Sequence, residues 1–156
     1  MREETLRRGG LELTRENVAK VSVRLRQELG QNAVAKLAVE RVRALLEENE
    51  VVVIDGVRSL DEVGTFRGAF PAERILIIAV HTPPALRFER LRARGGRHDD
   101  PPRNWEDFEE RDWKELRFGI GGGVIAMADH MLVNDGSEDE YDKKVRELVD
   151  AILSEH

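Results

Sequence analysis

Arg87, Arg90, Arg94 and Arg97 recur along RFERLRARGGR, and Arg111 follows within EERDWKEL. On a helix the first three lie at i, i+3 and i+7, so they share one face, and Arg97 carries the series into the next segment. Guanidinium groups match phosphate oxygens with two parallel hydrogen bonds and neutralise the charge that builds when a phosphoryl group moves. The same residues would also make a solvated face paired with Glu89, Asp99, Glu109 and Glu110, and spacing alone leaves both readings open.

A second constellation is VVVIDGVRS at 51–59. A short branched apolar run bounded by turn residues predicts a strand covered on both faces, as in a parallel sheet. Asp55 then ends the strand at the carboxyl edge, where open α/β sheets bind ligands. An acid there can hold Mg²⁺ directly or through water, opposite a glycine-rich loop that cradles phosphates. Arg58 either points over that edge or pairs with Asp61 or Glu62. The cradle itself requires G-x-x-x-x-G-K-[ST], and the sequence contains no Gly-Lys pair. GIGGG at 119–123 lacks the lysine and the hydroxyl and reads as a hinge. Asn134-Asp135-Gly136 reads as a tight turn. His81, His98, His130 and His156 have no metal-ligand spacing, so no zinc site is assigned.

These groups need a scaffold. A chain of 156 residues, 36% charged and 40% hydrophobic, fits one globular domain. The net charge of −6 argues against general nucleic-acid binding. No apolar run approaches the roughly 18 residues of a membrane span, MREETLRRGG lacks the apolar stretch of a secretory signal, and there is no cysteine. A cytoplasmic protein without a membrane partner is the expectation. Thr14 can cap a helix ending at Gly30. A helix over 32–48 carries Val34, Leu37, Ala38, Val42 and Leu45. Strands follow at 51–54, 74–80 and 130–134. Ser59 with Glu62 and Ser137 with Glu140 spell capping boxes, and Thr82-Pro83 opens a helix. Trp105 and Trp113 read as core packing. Helices alternating with strands predict a layered α/β fold with a parallel sheet.

Taken together, REETLRRGGLELTRENVAKV, GQNAVAK, VVVIDGVRSLDEVGTFR, RFERLRARGGRHDDPPRNWEDFEERDWKEL and ADHMLVNDGS resemble P-loop nucleotide kinases of the nucleoside monophosphate kinase type. The nearest resemblance is to an archaeal branch related to dephospho-coenzyme A kinases. It spans essentially the whole chain and implies a single domain over 1–156, a three-layer α/β fold with a parallel sheet. Acceptor-binding helices would occupy about 1–49 and a helical lid insert about 95–123. It implies an ATP- and Mg²⁺-dependent phosphotransferase acting on a nucleotide or nucleotide-like small molecule. Asp55 would be linked to the metal. Arg97 and Arg111 would close over the phosphates, with Arg90 and Arg94 at the base of the lid. Arg2 and Arg58 would hold the acceptor, and the turn Asn134–Ser137, including Gly136 and Ser137, would lie against the adenine.

The resemblance begins beyond the strand, cradle and second strand that open such kinases. The expectation is therefore an N-terminally truncated domain with its first two strands absent, binding ATP and Mg²⁺ weakly and inactive as it stands. Either the start lies too far downstream or ATP binding has been lost, and the intact Asp-Gly, lid and turn segments favour the first. A reading from a different class is a non-catalytic nucleotide-sensing or oligomerising module, which would form homo-oligomers.

Overall fold

The computed structural model describes residues 15–30, 32–94, 101–117 and 122–155. Its elements run α1 (Arg15–Leu29), α2 (Ala33–Leu46), α3 (Leu60–Ala69), β1 (Ile78–His81), α4 (Pro84–Arg94), α5 (Trp105–Arg117), α6 (Gly122–Ala126), β2 (His130–Val133) and α7 (Glu138–Ser154). The fold is α/β, a small parallel sheet among many helices. β1 and β2 pair in parallel with Ile78 opposite His130 and His81 opposite Val133. A parallel pair cannot be joined by a tight hairpin, and the crossover here carries α4, α5 and α6. Beyond the ladder the Asn134 N–H donates to the His81 carbonyl at 2.8 Å, which draws the two carboxyl ends together.

Local signals place the helices. Ser59 accepts the Glu62 N–H while the Glu62 carboxylate accepts the Ser59 N–H, and Ser137 with Glu140 repeats the arrangement at α7. Both capping boxes stand where the sequence puts them. At α4 the Pro83 carbonyl accepts the Arg87 N–H at 3.0 Å, so the Thr82-Pro83 pair leads into the helix. Thr14 lies outside the described residues.

The buried core joins Ala35 and Val42 of α2 to Phe66 and Phe70 of and just after α3, with Val39, Leu46, Val52, Val57 and Ile75 against it. Of the apolar residues that α2 was expected to carry, Leu37 and Leu45 are 43% and 39% exposed. The contact uses the smaller Ala–Val stripe, which lets α2 and α3 approach closely. The Asn32 amide donates to the Thr65 hydroxyl at 2.7 Å across the same pair of helices. At the other end Phe88 of α4 meets Trp105 and Phe108 of α5 with ring centroids 5.5 and 5.6 Å apart. Phe108 is buried.

Four expectations need correction. The strand at 51–54 does not form, because a strand exists only through its neighbours' N–H and C=O groups and the ladder holds β1 and β2 alone among the described residues. Val52 and Val57 hold this segment by packing instead, while Val53 is 88% exposed. The strand at 74–80 contracts to Ile78–His81, the length over which β2 offers partners. Trp113 and Trp105 are 58% and 36% exposed, so neither is a core residue, although Trp105 keeps an edge-on contact with Phe88. Of the GIGGG segment read as a hinge, 119–121 lie outside the described residues, while Gly122 and Gly123 start α6. A side chain on Gly123 would come within 3.3 Å of Leu60, so the absent Cβ permits close approach to α3.

Candidate functional site

The two strands deliver Thr82 and Asn134 to the carboxyl edge of the sheet, and α4 leaves from that edge with its arginines. Arg87, Arg90 and Arg94 line one cavity of about 220 Å³ together with Thr82 and Leu91. The helical spacing therefore converges on a single concavity. Ligand pockets for whole drug-sized molecules run from about 300 Å³ upward, so this volume suits a phosphoryl group better than an entire nucleotide.

The three guanidiniums are differently engaged. Arg90 donates from Nη1 to the Asn134 Oδ1 at 2.8 Å and the Asn134 carbonyl at 3.3 Å, and from Nη2 to the Gly136 carbonyl at 2.8 Å. From the other side Lys144 of α7 donates to the Val133 carbonyl and to Asp135, each at 2.9 Å. Two cations thus pin the turn at 133–136, and the hydrogen bond from Lys144 holds the Asp135 carboxyl below the usual range. Arg87 donates from Nε to the Thr82 carbonyl at 3.2 Å and, through both Nη atoms, to the Asp112 carboxylate of α5 at 3.1 and 2.5 Å. Its guanidinium also lies 5.2 Å from the centre of the Phe108 ring. Arg94 is exposed in the last turn of α4.

Arg111 lines none of this cavity. It donates to Asp107 one turn back along α5, from Nε at 3.2 Å and from Nη2 at 2.7 Å. The Arg103 backbone N–H, followed by the Arg111 side chain, holds the Asp107 carboxyl below its usual range. Asp55 is exposed ahead of Gly56, whose φ of +82° is the left-handed conformation that glycine adopts without a Cβ penalty. Among the described residues no group of three or more His, Cys, Asp or Glu could hold a metal. Asp55 and its described surroundings therefore do not make a Mg²⁺ site by themselves.

Arg58 presents its backbone N–H to Glu62 at 2.7 Å, and its side chain is exposed. Glu62 is 5% exposed, and its carboxylate caps the N-terminus of α3. Ser137 caps α7, and its backbone N–H holds the Glu140 carboxyl below the ordinary range. Arg2 and Arg97 lie outside the described residues. The structure thus brings Arg90 and Arg94 to one cavity and joins Arg90 to Asn134 and Gly136. The sequence reading gives no role in the site to Arg87, Thr82 or Lys144. Arg87 is visible beforehand as the first member of the i, i+3, i+7 series, but its partner Asp112 is not.

Among the described residues no helix is long and apolar enough to cross a membrane. Comparison with known proteins matches residues 1–109 to a family described as AAA domain. A UPF0200 protein of Thermococcus gammatolerans is 78% identical over 153 residues, which are 98% of this chain and 78% of that protein. One of Thermococcus onnurineus is 75% identical over 156 residues, 100% of this chain and 82% of the relative. One of Pyrococcus horikoshii is 46% identical over 154 residues, 99% and 81% respectively. These names give no specific activity, but they are consistent across archaea, and the family match covers the Asp-Gly segment and all of α4. The chain belongs to the UPF0200 family and, by residues 1–109, to the AAA domain family of P-loop NTPase-like kinases.

Proposed function

We propose that the chain is the nucleotide-handling part of an ATP-dependent small-molecule kinase, with a nucleotide or a related hydroxyl compound, dephospho-coenzyme A included, as acceptor. The observation that carries this reading is the convergence of Arg87, Arg90 and Arg94 with Thr82 on one cavity at the carboxyl end of β1. That edge is where open α/β sheets bind ligands, and such a cationic concavity suits phosphoryl oxygens. Arg94 would meet the phosphates, and the pinned turn from Asn134 to Ser137 would receive the base. Arg97 and Arg111 belong to the lid of about 95–123 in this reading. Arg2 and Arg58 belong to the acceptor side, and Asp55 to a Mg²⁺ whose remaining ligands come from ATP and water.

The 156 residues contain no G-x-x-x-x-G-K-[ST], and most triphosphate affinity in such sites comes from the backbone N–H groups and lysine of that loop. Isothermal titration of this chain with Mg²⁺·ATP should therefore give a dissociation constant on the order of millimolar, without phosphoryl transfer. Arg94→Ala should weaken it further by about fivefold. Adding a strand–GxxxxGK[ST]–helix segment should restore micromolar binding. Equal affinities for the chain and Arg94→Ala would refute the cavity as the phosphate site.

A second reading, a non-catalytic nucleotide-sensing module that self-associates, is favoured by the apolar faces of the sheet. Ile78 and Val80 of β1 and Met131 and Val133 of β2 are 42%, 50%, 49% and 37% exposed.

A further inference from the structure

Arg87 stands at the junction of two structures: its stem leaves α4 at the cavity wall, and its fork closes on Asp112 of α5. A bidentate guanidinium–carboxylate pair has the geometry that the same fork offers a phosphoryl group, so carboxylate and phosphate are mutually exclusive partners. The pair is partly open to water, with side-chain exposures of 41% for Arg87 and 28% for Asp112. Exchange is thus not blocked by burial. Nε donates separately to the Thr82 carbonyl at 3.2 Å, a bond that does not use the fork.

We propose that the Arg87–Asp112 pair is a latch displaced by ligand: a polyphosphate entering the cavity takes the fork from Asp112, and α5 loosens from α4. This rests on the cavity being the phosphate site, and it adds a regulation that the cavity alone does not imply. Losing the fork also weakens the contact of Arg87 with Phe108, so α5 gives up two attachments together. What remains is the packing of Phe88 against Trp105 and Phe108. The unliganded chain holds α5 down and spends one phosphate-binding arginine doing so. Polyphosphate then binds and frees α5 in one equilibrium, and its affinity is lowered by the strength of the latch.

Trp105 makes this readable. It meets Phe88 edge-on at 5.5 Å and 84°, and Trp113 is the only other tryptophan, so Trp113→Phe isolates its emission. In that background inorganic tripolyphosphate should red-shift the Trp105 emission as α5 loosens. Asp112→Asn should show part of the shift without ligand and bind tripolyphosphate about three- to tenfold more tightly, the worth of a partly exposed bidentate pair. Arg87→Gln should show the same unliganded shift and bind more weakly than the parent. The opposite affinities of two variants that break one ion pair separate a latch from a structural bridge, which would shift both in the same direction. Circular dichroism of each variant, with Asp112→Ala as a second test of the carboxylate, checks that the fold persists. Tripolyphosphate affinity in Asp112→Asn and Asp112→Ala no tighter than in the parent overturns the latch while leaving the cavity assignment standing. No binding in any variant overturns both.

Discussion

Arg90→Met tests whether the middle arginine of α4 is a component of the fold. Methionine keeps much of the apolar stem, so the substitution removes the hydrogen bonds with little loss of packing. Those bonds are Nη1 to Asn134 Oδ1 at 2.8 Å, Nη2 to the Gly136 carbonyl at 2.8 Å and the longer one to the Asn134 carbonyl at 3.3 Å. A hydrogen bond from a charged donor is worth about 1.5–3 kcal/mol when well buried. The Arg90 side chain is only half-buried, so about 1 kcal/mol for each short bond and little for the long one is the appropriate scale. The loss is then about 2 kcal/mol. In a chain of this size 1 kcal/mol moves the melting temperature by about 2–4 °C, so Arg90→Met should melt about 4–8 °C lower. Arg90→Lys, a point charge without a fork, should recover no more than half of that.

Thermal unfolding followed by circular dichroism reads the shift, and tripolyphosphate titration well below both transitions reads the ligand. Stability should fall in Arg90→Met while affinity changes by less than in Arg94→Ala. A melting temperature within about 1 °C of the parent, a small fraction of the shift just worked out, would refute the argument. Water would then be replacing the three bonds without cost, and Arg90 would return to the arginines free to meet a ligand.

The remaining tests concern acid and assembly. Asp107, Asp135 and Glu140 all have carboxyls held below their ordinary range by hydrogen bonds, from the Arg103 N–H, Lys144 and the Ser137 N–H respectively. A depressed folded value contributes stability that is fully present above the unfolded value and is lost as pH falls through the folded one. Stability measured by urea unfolding should therefore change little toward neutrality and fall below about pH 4. Asp107→Asn should flatten that fall, and a parent chain equally stable down to about pH 3 would contradict it. If the exposed sheet faces mediate self-association, sedimentation velocity should show a concentration-dependent rise in mass that Val80→Lys abolishes; a strict monomer at high micromolar concentration would remove the second functional reading.

What the sequence reveals here divides by distance along the chain. Both capping boxes are legible because Ser59 meets Glu62, and Ser137 meets Glu140, three residues on, where the helix itself fixes the geometry. The alternation of helices with apolar runs is likewise enough to predict an α/β fold with a parallel sheet. The run at 51–54 has the composition of a strand but no control over its neighbours, and without a ladder it packs as an irregular segment. Apolar periodicity in α2 is ambiguous for a related reason. Two stripes were available, and the choice of the Ala–Val one is made by Phe66 and Phe70. Spacing brought Arg87, Arg90 and Arg94 to one face, but their partners Asp112, Asn134 and Gly136 lie 25 to 46 residues away. No local pattern reports them.

The three arginines also show why a shared face does not mean a shared role. A guanidinium has five N–H donors in a fixed fork, and what it can offer a ligand is what the fold leaves over. Arg90 gives three bonds to the turn after β2 and holds that turn in place. Arg87 gives its fork to a carboxylate on another helix, and that commitment can be exchanged for a phosphate of the same geometry. Arg94 sits in the last turn of α4, where a cation is favoured by the helix dipole. The dipole acts along the axis and requires no particular direction of the fork, so Arg94 can turn toward an anion at small cost. A phosphoryl group arriving in the cavity therefore meets Arg94 first, takes Arg87 by exchange and leaves Arg90 in place. The order follows from the partners each side chain must give up.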